Sequence, residues 1–177
     1  MYLENKNISI VGGGLVGSLL SIYLRKQGAN ISVFDKRPDL RQDSNQAGRS
    51  INLALSNRGI RAIEFLGITD SIMEIAMPMY KRIMHSVTGS LTEQKYGQNN
   101  EAIYSVSRHN LNEKLVNIAE DSGVQFFFNK ACQEISIVNT KLIFEDGFSI
   151  HPDYIFGADG AGSLVRKEMS KSFSDVK

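Results

Sequence analysis

The segment Gly12-Gly13-Gly14-Leu15-Val16-Gly17 follows the apolar run Ile8-Ser9-Ile10-Val11, and its glycines stand at the G-x-G-x-x-G spacing. Eighteen residues past Gly17, at the end of a second apolar run (Ile31 to Phe34), sits Asp35. The chemistry this spacing serves is the binding of a dinucleotide pyrophosphate, as NAD or FAD. Gly12 allows a tight turn out of the strand, Gly14 lets a pyrophosphate approach the backbone, and Gly17 lets the helix pack against the strands. The helix that begins at Leu15 offers unpaired N–H groups and a partial positive charge to phosphates. Asp35 is placed to accept hydrogen bonds from ribose hydroxyls. The bland alternative is a glycine-rich strand-to-helix turn with no ligand. It is disfavoured because such a turn needs no acid at the end of the next strand.

A second glycine-flanked acid, Asp159 in Gly157-Ala158-Asp159-Gly160, follows the apolar run Tyr154-Ile155-Phe156. Asp-Gly is a common turn pair. Its place after a buried strand favours a cofactor role, because ligands in α/β sheets sit beyond the carboxyl ends of strands. Arg108 opens a helix marked by Leu111, Leu115, Ile118 and Ala119. A cation gains nothing from a helix N-terminus, and that misplacement favours contact with a ligand. Arg37 either covers an adenine or its phosphates or is a solvated loop charge. His85 reads as a structural strand histidine and is given no catalytic role.

The elements that carry these residues follow from periodicity and punctuation. Strands are predicted at Ile8–Val11 and Ile31–Phe34, with a helix between them that stops at Gly28. A polar loop covers Asp39 to Gly48, and short extended chain covers Ser50 to Leu55. Helical turns run from Arg58 to Phe65 and from Thr69 to Ala76, before Pro78. A β-hairpin pairs Ile83–Val87 with Ser90–Gln94 around Thr88-Gly89. A strand at Ile103–Val106 precedes the Arg108 helix, and Val124–Phe128 reads as a buried strand. A meander is expected at Ile135–Val138, Lys141–Phe144 and Phe148–Ile150. Tyr154–Phe156 is the last strand, and a helix begins near Ser163. A βαβ start followed by an antiparallel excursion differs from plain strand–helix alternation.

Bulk properties bound the rest. A chain of 177 residues with 42% hydrophobic and 22% charged residues suits one globular domain. A net charge of +1 gives no electrostatic case for nucleic acid or an anionic membrane. One cysteine, Cys132, allows neither an intrachain disulfide nor a thiolate metal cluster, which fits a reducing compartment. Ile8 to Leu24 carries no charge, yet its glycines and serines suit a buried strand and helix better than a membrane span, so no membrane segment is expected. No convincing nucleophile or metal constellation emerges.

The order Gly12-x-Gly14-x-x-Gly17, Arg108-x-x-Leu111-x-x-x-Leu115, Gly157-Ala158-Asp159-Gly160 resembles the flavoprotein aromatic hydroxylases, single-component FAD monooxygenases. Further segments are similar to the branch of that family acting on L-kynurenine. They are Gly48-Arg49-Ser50 through Asn57-Arg58-Gly59, Pro78-Met79 with Arg82 and His85, Tyr96-Gly97, and Ser105-Val106-Ser107-Arg108 before Asn110-Leu111-Asn112. The resemblance implies FAD as bound cofactor and NADPH as co-substrate, with dioxygen adding to the reduced flavin and L-kynurenine becoming 3-hydroxy-L-kynurenine. It implies FAD contacts at Gly12, Gly14, Leu15, Val16 and Gly17, and at Phe34, Asp35, Lys36 and Arg37. Arg108 and Asp159 join this set, with Ala54 and Cys132 as backbone-level neighbours. It assigns the substrate carboxylate to Arg82 and Tyr96. On residue type alone, Arg82 would be a solvated hairpin charge and Tyr96 a packing aromatic.

Two departures stand out. Asp35 occupies a place where glutamate is more usual, and the family's chains run more than twice as far. The expected fold class is therefore α/β, a Rossmann-like FAD-binding βαβ fold with an inserted antiparallel sheet. Residues 1–177 form the N-terminal portion, with 78–106 as a substrate-side β insertion and the C-terminal half absent. The resemblance implies a cytoplasmic protein if the source is bacterial, and the outer mitochondrial membrane for eukaryotic relatives. Two alternatives remain open: another FAD monooxygenase of the same family, or an inactive FAD-binding module.

Overall fold

The computed structural model describes residues 3–42, 51–98 and 101–172. The Gly48-Arg49-Ser50 start of one motif and most of the polar stretch before it lie outside these. The chain opens with β1 (Asn7–Val11), α1 (Leu15–Lys26) and β2 (Asn30–Phe34), the βαβ unit that the glycine spacing predicts. Next come β3 (Asn52–Leu55), α2 (Asn57–Phe65), α3 (Thr69–Met73), β4 (Met77–Met79), β5 (Lys81–His85), β6 (Leu91–Lys95) and β7 (Ile103–Ser107). α4 (Arg108–Asp121), β8 (Gln125–Phe127), β9 (Cys132–Ser136), β10 (Lys141–Phe144), β11 (Ser149–Ile150), β12 (Tyr154–Gly157) and α5 (Leu164–Ser172) complete it.

Two compact units result: Met1–Ala47 with Asn112–Lys177, and Gly48–Leu111. The first unit holds a parallel sheet ordered β12-β1-β2-β8. Ile8, Ile10, Ile31 and Val33 are buried together with Val11 and Phe34, which point to the other face. Burial on both faces explains why these strands read as apolar runs rather than alternating ones. The antiparallel meander β11-β10-β9 supplies the second core: Val11, Phe34, Ile135, Leu142, Phe144 and Val165 cluster together. The Phe34 ring lies 4.5 Å from Phe144 and 5.0 Å from Phe127. Tight turns at Asp146-Gly147 and at Thr140, both with positive φ, close the meander.

The second unit holds an antiparallel sheet ordered β3-β7-β4 and the separate hairpin β5-β6. Pairing of Leu53 with Val106 and of Ala54 with Ser105 sets its register.

Two elements differ from expectation. β4 was not anticipated, because Pro78 reads as a breaker. It is tolerated on an edge strand, where among the described residues no second strand calls for the backbone donor that proline lacks. β9 begins at Cys132 rather than Ile135, and a register irregularity at Ile143/Phe144 lets Phe144 pair with Cys132. Ile137 and Val138, apolar enough to suggest strand, are instead exposed beside the turn. Among the described residues no helix is long and apolar enough to cross a membrane.

Phe144 is 1% exposed at the centre of the aromatic cluster. Phe144→Ala is expected to lower unfolding free energy by about 3–5 kcal/mol, read from urea midpoints at unchanged slope.

Candidate functional site

The glycine loop sits at the carboxyl end of β1, and each glycine meets a different constraint. Gly12 has φ +106°, and a Cβ there would collide with the Ala158 carbonyl. A Cβ on Gly17 would strike the carbonyl of Gly12. These two positions admit only glycine. Gly14 is different: its backbone is ordinary (φ −79°, ψ −174°), and among the described residues a Cβ would meet only Arg37 Nη2, at 3.9 Å. Nothing among the described residues demands glycine at 14, so what it preserves is open space above the loop. That space lies at the bare N-terminus of α1, where no side chain caps the helix and no acid occupies the first turn. The N–H groups there are free to meet an anion. Val16 is 69% exposed beside them. These features fit a dinucleotide pyrophosphate.

The two loops named from sequence meet. Ala158 N donates to Val11 O at 2.7 Å, which places the second loop against Gly12. The Asp159 carboxylate caps α5, accepting from Ser163 Oγ at 2.6 Å and from the N–H groups of Leu164 at 2.7 Å and Val165 at 3.3 Å. In this arrangement Asp159 holds the second loop's shape. Cys132 lies on β9, half-buried, where burial first and the Asp159 charge second push its thiol up to about 11. It is a neutral thiol at physiological pH.

Asp35 ends β2, as expected, and is 5% exposed. Its Oδ2 accepts from Gly13 N and Arg37 Nη2, both at 2.7 Å. Its Oδ1 accepts from Arg37 N and Nε, both at 2.9 Å. Arg37 thus lies across the acid expected to meet a ribose, and a ribose hydroxyl would take the place of the guanidinium. Burial pushes the Asp35 carboxyl up, but the Arg37 bonds and charge and the Gly13 N–H outweigh it, leaving it below its ordinary 3.8. Lys36 is exposed. Phe34 is buried at 1%, so it serves the loop through its carbonyl, which accepts from Gly12 N at 2.8 Å.

The remaining expected residues belong to the second unit. Ala54 is exposed on β3. Arg108 follows Ser107, the β7 partner of Asn52, and its N–H donates to Ile51 O at 3.1 Å. Ala54 and Arg108 therefore lie near one end of the same sheet. On the hairpin, Tyr96 N donates to Tyr80 O at 3.0 Å, and Arg82 stands opposite Gln94. Arg82 and Tyr96 are thus diagonal neighbours on one face. Gln94 Oε1 accepts from Arg82 Nε at 2.8 Å and Nη2 at 2.5 Å, fixing the guanidinium plane. His85 lies on the opposite face, by strand alternation.

Sequence reasoning missed Gly13 and Asn112. Gly13 is an "x" of the motif, yet its N–H holds Asp35 while its carbonyl accepts from Ser18 Oγ and Asn112 Nδ2, each at 3.4 Å. The signal was a buried asparagine in the apolar stripe of α4. Among the described residues no cluster of His, Cys, Asp and Glu can hold a metal ion.

Comparison with known proteins places this geometry. The family model described as FAD binding domain matches residues 5–176. A curated relative from Christiangramia forsetii, named kynurenine 3-monooxygenase, is 47% identical over 95% of this chain and 38% of its own length. One of the same name from Dictyostelium discoideum is 42% identical over 96% and 37%. A solved structure of 2-methyl-3-hydroxypyridine-5-carboxylic acid oxygenase superposes with TM-score 0.77 at 26% identity, covering 94% of this chain and 42% of that one. The chain therefore spans less than half the length of the relatives it matches.

Gly17→Ala is expected to abolish cooperative urea unfolding, whereas Gly14→Ala, at a conformation open to alanine, keeps the parent's midpoint or exceeds it slightly. A second test concerns acid. The depressed Asp35 carboxyl contributes stability above its unfolded titration and loses it as pH falls through the lower folded value. In Arg37→Ala the guanidinium's bonds and charge are lost while the N–H groups of residue 37 and Gly13 remain to oppose burial, so the carboxyl titrates higher and the acid-unfolding midpoint moves to higher pH. An unmoved midpoint in circular dichroism would show the pair to be uncoupled.

Proposed function

The chain belongs to the FAD binding domain family, and on that premise we propose that it forms the dinucleotide-binding part of an NADPH-dependent enzyme that hydroxylates the ring of L-kynurenine. The observation that carries the reading is Gly14, a glycine whose only evident purpose is the open space at the α1 N-terminus. When bound there, FAD would supply the redox and oxygen-transfer chemistry that no side chain of this chain can. The relatives' name supports the kynurenine assignment.

The chain's own residues then bind and orient. The N–H groups at Gly14 to Gly17 face the pyrophosphate, and the Asp35 carboxylate meets the adenosine ribose once Arg37 swings outward to cover the adenine or its phosphates. Lys36, Leu15 and Val16 shape the walls, Phe34 contributes through its backbone carbonyl, and Ala158-Asp159 borders the glycine loop with Cys132 near Asp159. Ala54 and Arg108 are the remaining flavin contacts that this reading assigns. Arg82, its plane fixed by Gln94, binds the amino-acid carboxylate of kynurenine through its remaining N–H edge, and the Tyr96 hydroxyl donates to the same carboxylate. Segment 78–106 is in this reading the substrate-side β structure.

Flavin absorbance that remains with this chain through gel filtration tests the first half of the reading, and a colourless protein overturns it. For the second half, the whole product of the gene is assayed with NADPH, dioxygen and L-kynurenine. Arg82→Ala is expected to raise KM for L-kynurenine by about 10- to 100-fold, the worth of a hydrogen-bonded charge, with a smaller change in kcat. Failure to form 3-hydroxykynurenine, or an unchanged KM in the variant, would instead favour another FAD monooxygenase of the family.

A further inference from the structure

Asn112 lies in the first half of α4, 8% exposed, among the buried Leu111, Leu115, Val116 and Ala119. At such a position an apolar residue is the ordinary choice. Its amide turns Nδ2 toward the Gly13 carbonyl at 3.4 Å, the sense required by a group that can only accept, and this leaves Oδ1 enclosed without a hydrogen-bond partner among the described residues. Burying an amide oxygen unpaired costs free energy that a leucine of similar volume would not. A side chain kept against that cost calls for a compensating role.

The role follows from the peptide it holds. The Gly13 carbonyl and the Gly14 N–H belong to one planar trans unit and point in opposite directions. Fixing the carbonyl therefore fixes where the N–H points. With glycine on both sides this unit meets little steric resistance to flipping. A flip would aim the carbonyl's negative end at the space above Gly14 and withdraw the N–H from it. Two groups oppose the flip, Asn112 Nδ2 and Ser18 Oγ on the carbonyl, while Asp35 on the Gly13 N–H holds the preceding peptide unit.

We propose that Asn112 is a positioning residue that locks the Gly13–Gly14 peptide so that the Gly14 N–H faces the dinucleotide pyrophosphate. The inference rests on the dinucleotide reading of the loop. Asn112 touches no cofactor atom itself and acts through the backbone.

The test compares this chain with Asn112→Leu, which keeps volume and removes both polar atoms, and with Asn112→Ala, which suits a helix if leucine does not fit. Three readouts are taken: the urea midpoint, backbone 15N relaxation dispersion at Gly12 to Gly14 without ligand, and FAD affinity by flavin fluorescence. The expected result is a midpoint that is unchanged or higher, new exchange broadening confined to the loop, and an FAD Kd raised about tenfold, a typical worth of one hydrogen bond to a charged group. A loop as quiet as the parent's overturns the proposal, and so does a lowered midpoint with unchanged FAD affinity, which would make Asn112 a core residue only. If the parent itself fails to bind FAD, the functional reading falls, and the ligand-free dispersion still decides whether Asn112 locks the loop.

Discussion

The architecture of the first unit depends on one close approach between backbones. Gly12, Gly17 and Ala158 come so near that a Cβ on either glycine would overlap a carbonyl. The contact joins the end of β1, the first turn of α1 and the loop after β12. It forces the helix to start directly above the strand, with its positive end over the carboxyl edge of the sheet. The buried rows of Ile8, Ile10, Ile31 and Val33 and the aromatic cluster around Phe34 supply the stability, but they do not aim anything. The steric contact does the aiming. Hydrogen bonds then refine it, from Ala158 N to Val11 O and from Gly12 N to Phe34 O.

Much of this was legible in the sequence because each feature has a short-range cause. The G-x-G-x-x-G spacing, the apolar runs of a parallel sheet and the Asp-Gly turns announce themselves within a few residues. What was hidden depends on partners far away in the chain. Pro78 reads as a breaker until β7 is known to leave its other side unpaired. The start of β9 at Cys132 depends on an irregularity in β10. Asp35 was expected at the end of β2 and lies there, but the four hydrogen bonds its carboxylate accepts could not be read from its position. Gly13 was passed over because a motif marks it as variable, although both its polar groups are engaged.

The second unit obeys a different logic. Its three-stranded sheet is held by β7, whose Val106 is buried at 2%, while every residue of the β5-β6 hairpin is exposed. A two-stranded hairpin with both faces open is marginal alone in water. Cross-strand side-chain pairs such as Lys81 with Glu93 and Arg82 with Gln94 therefore matter more to its order than they would in a covered sheet. Polar pairing along the strands leaves Ile83, Met84 and Leu91 exposed between them.

The raised Cys132 thiol turns this chain into its own reporter. It carries a single cysteine, half-buried on β9 with its thiol titrating at about 11. At neutral pH the folded chain presents a far smaller thiolate fraction than an unfolded one. Alkylation of the native protein is correspondingly slow, and each opening of the meander exposes one stoichiometric handle. The rate at which a maleimide consumes that handle is a clock for local unfolding at the border of the second loop, one that needs no engineered label.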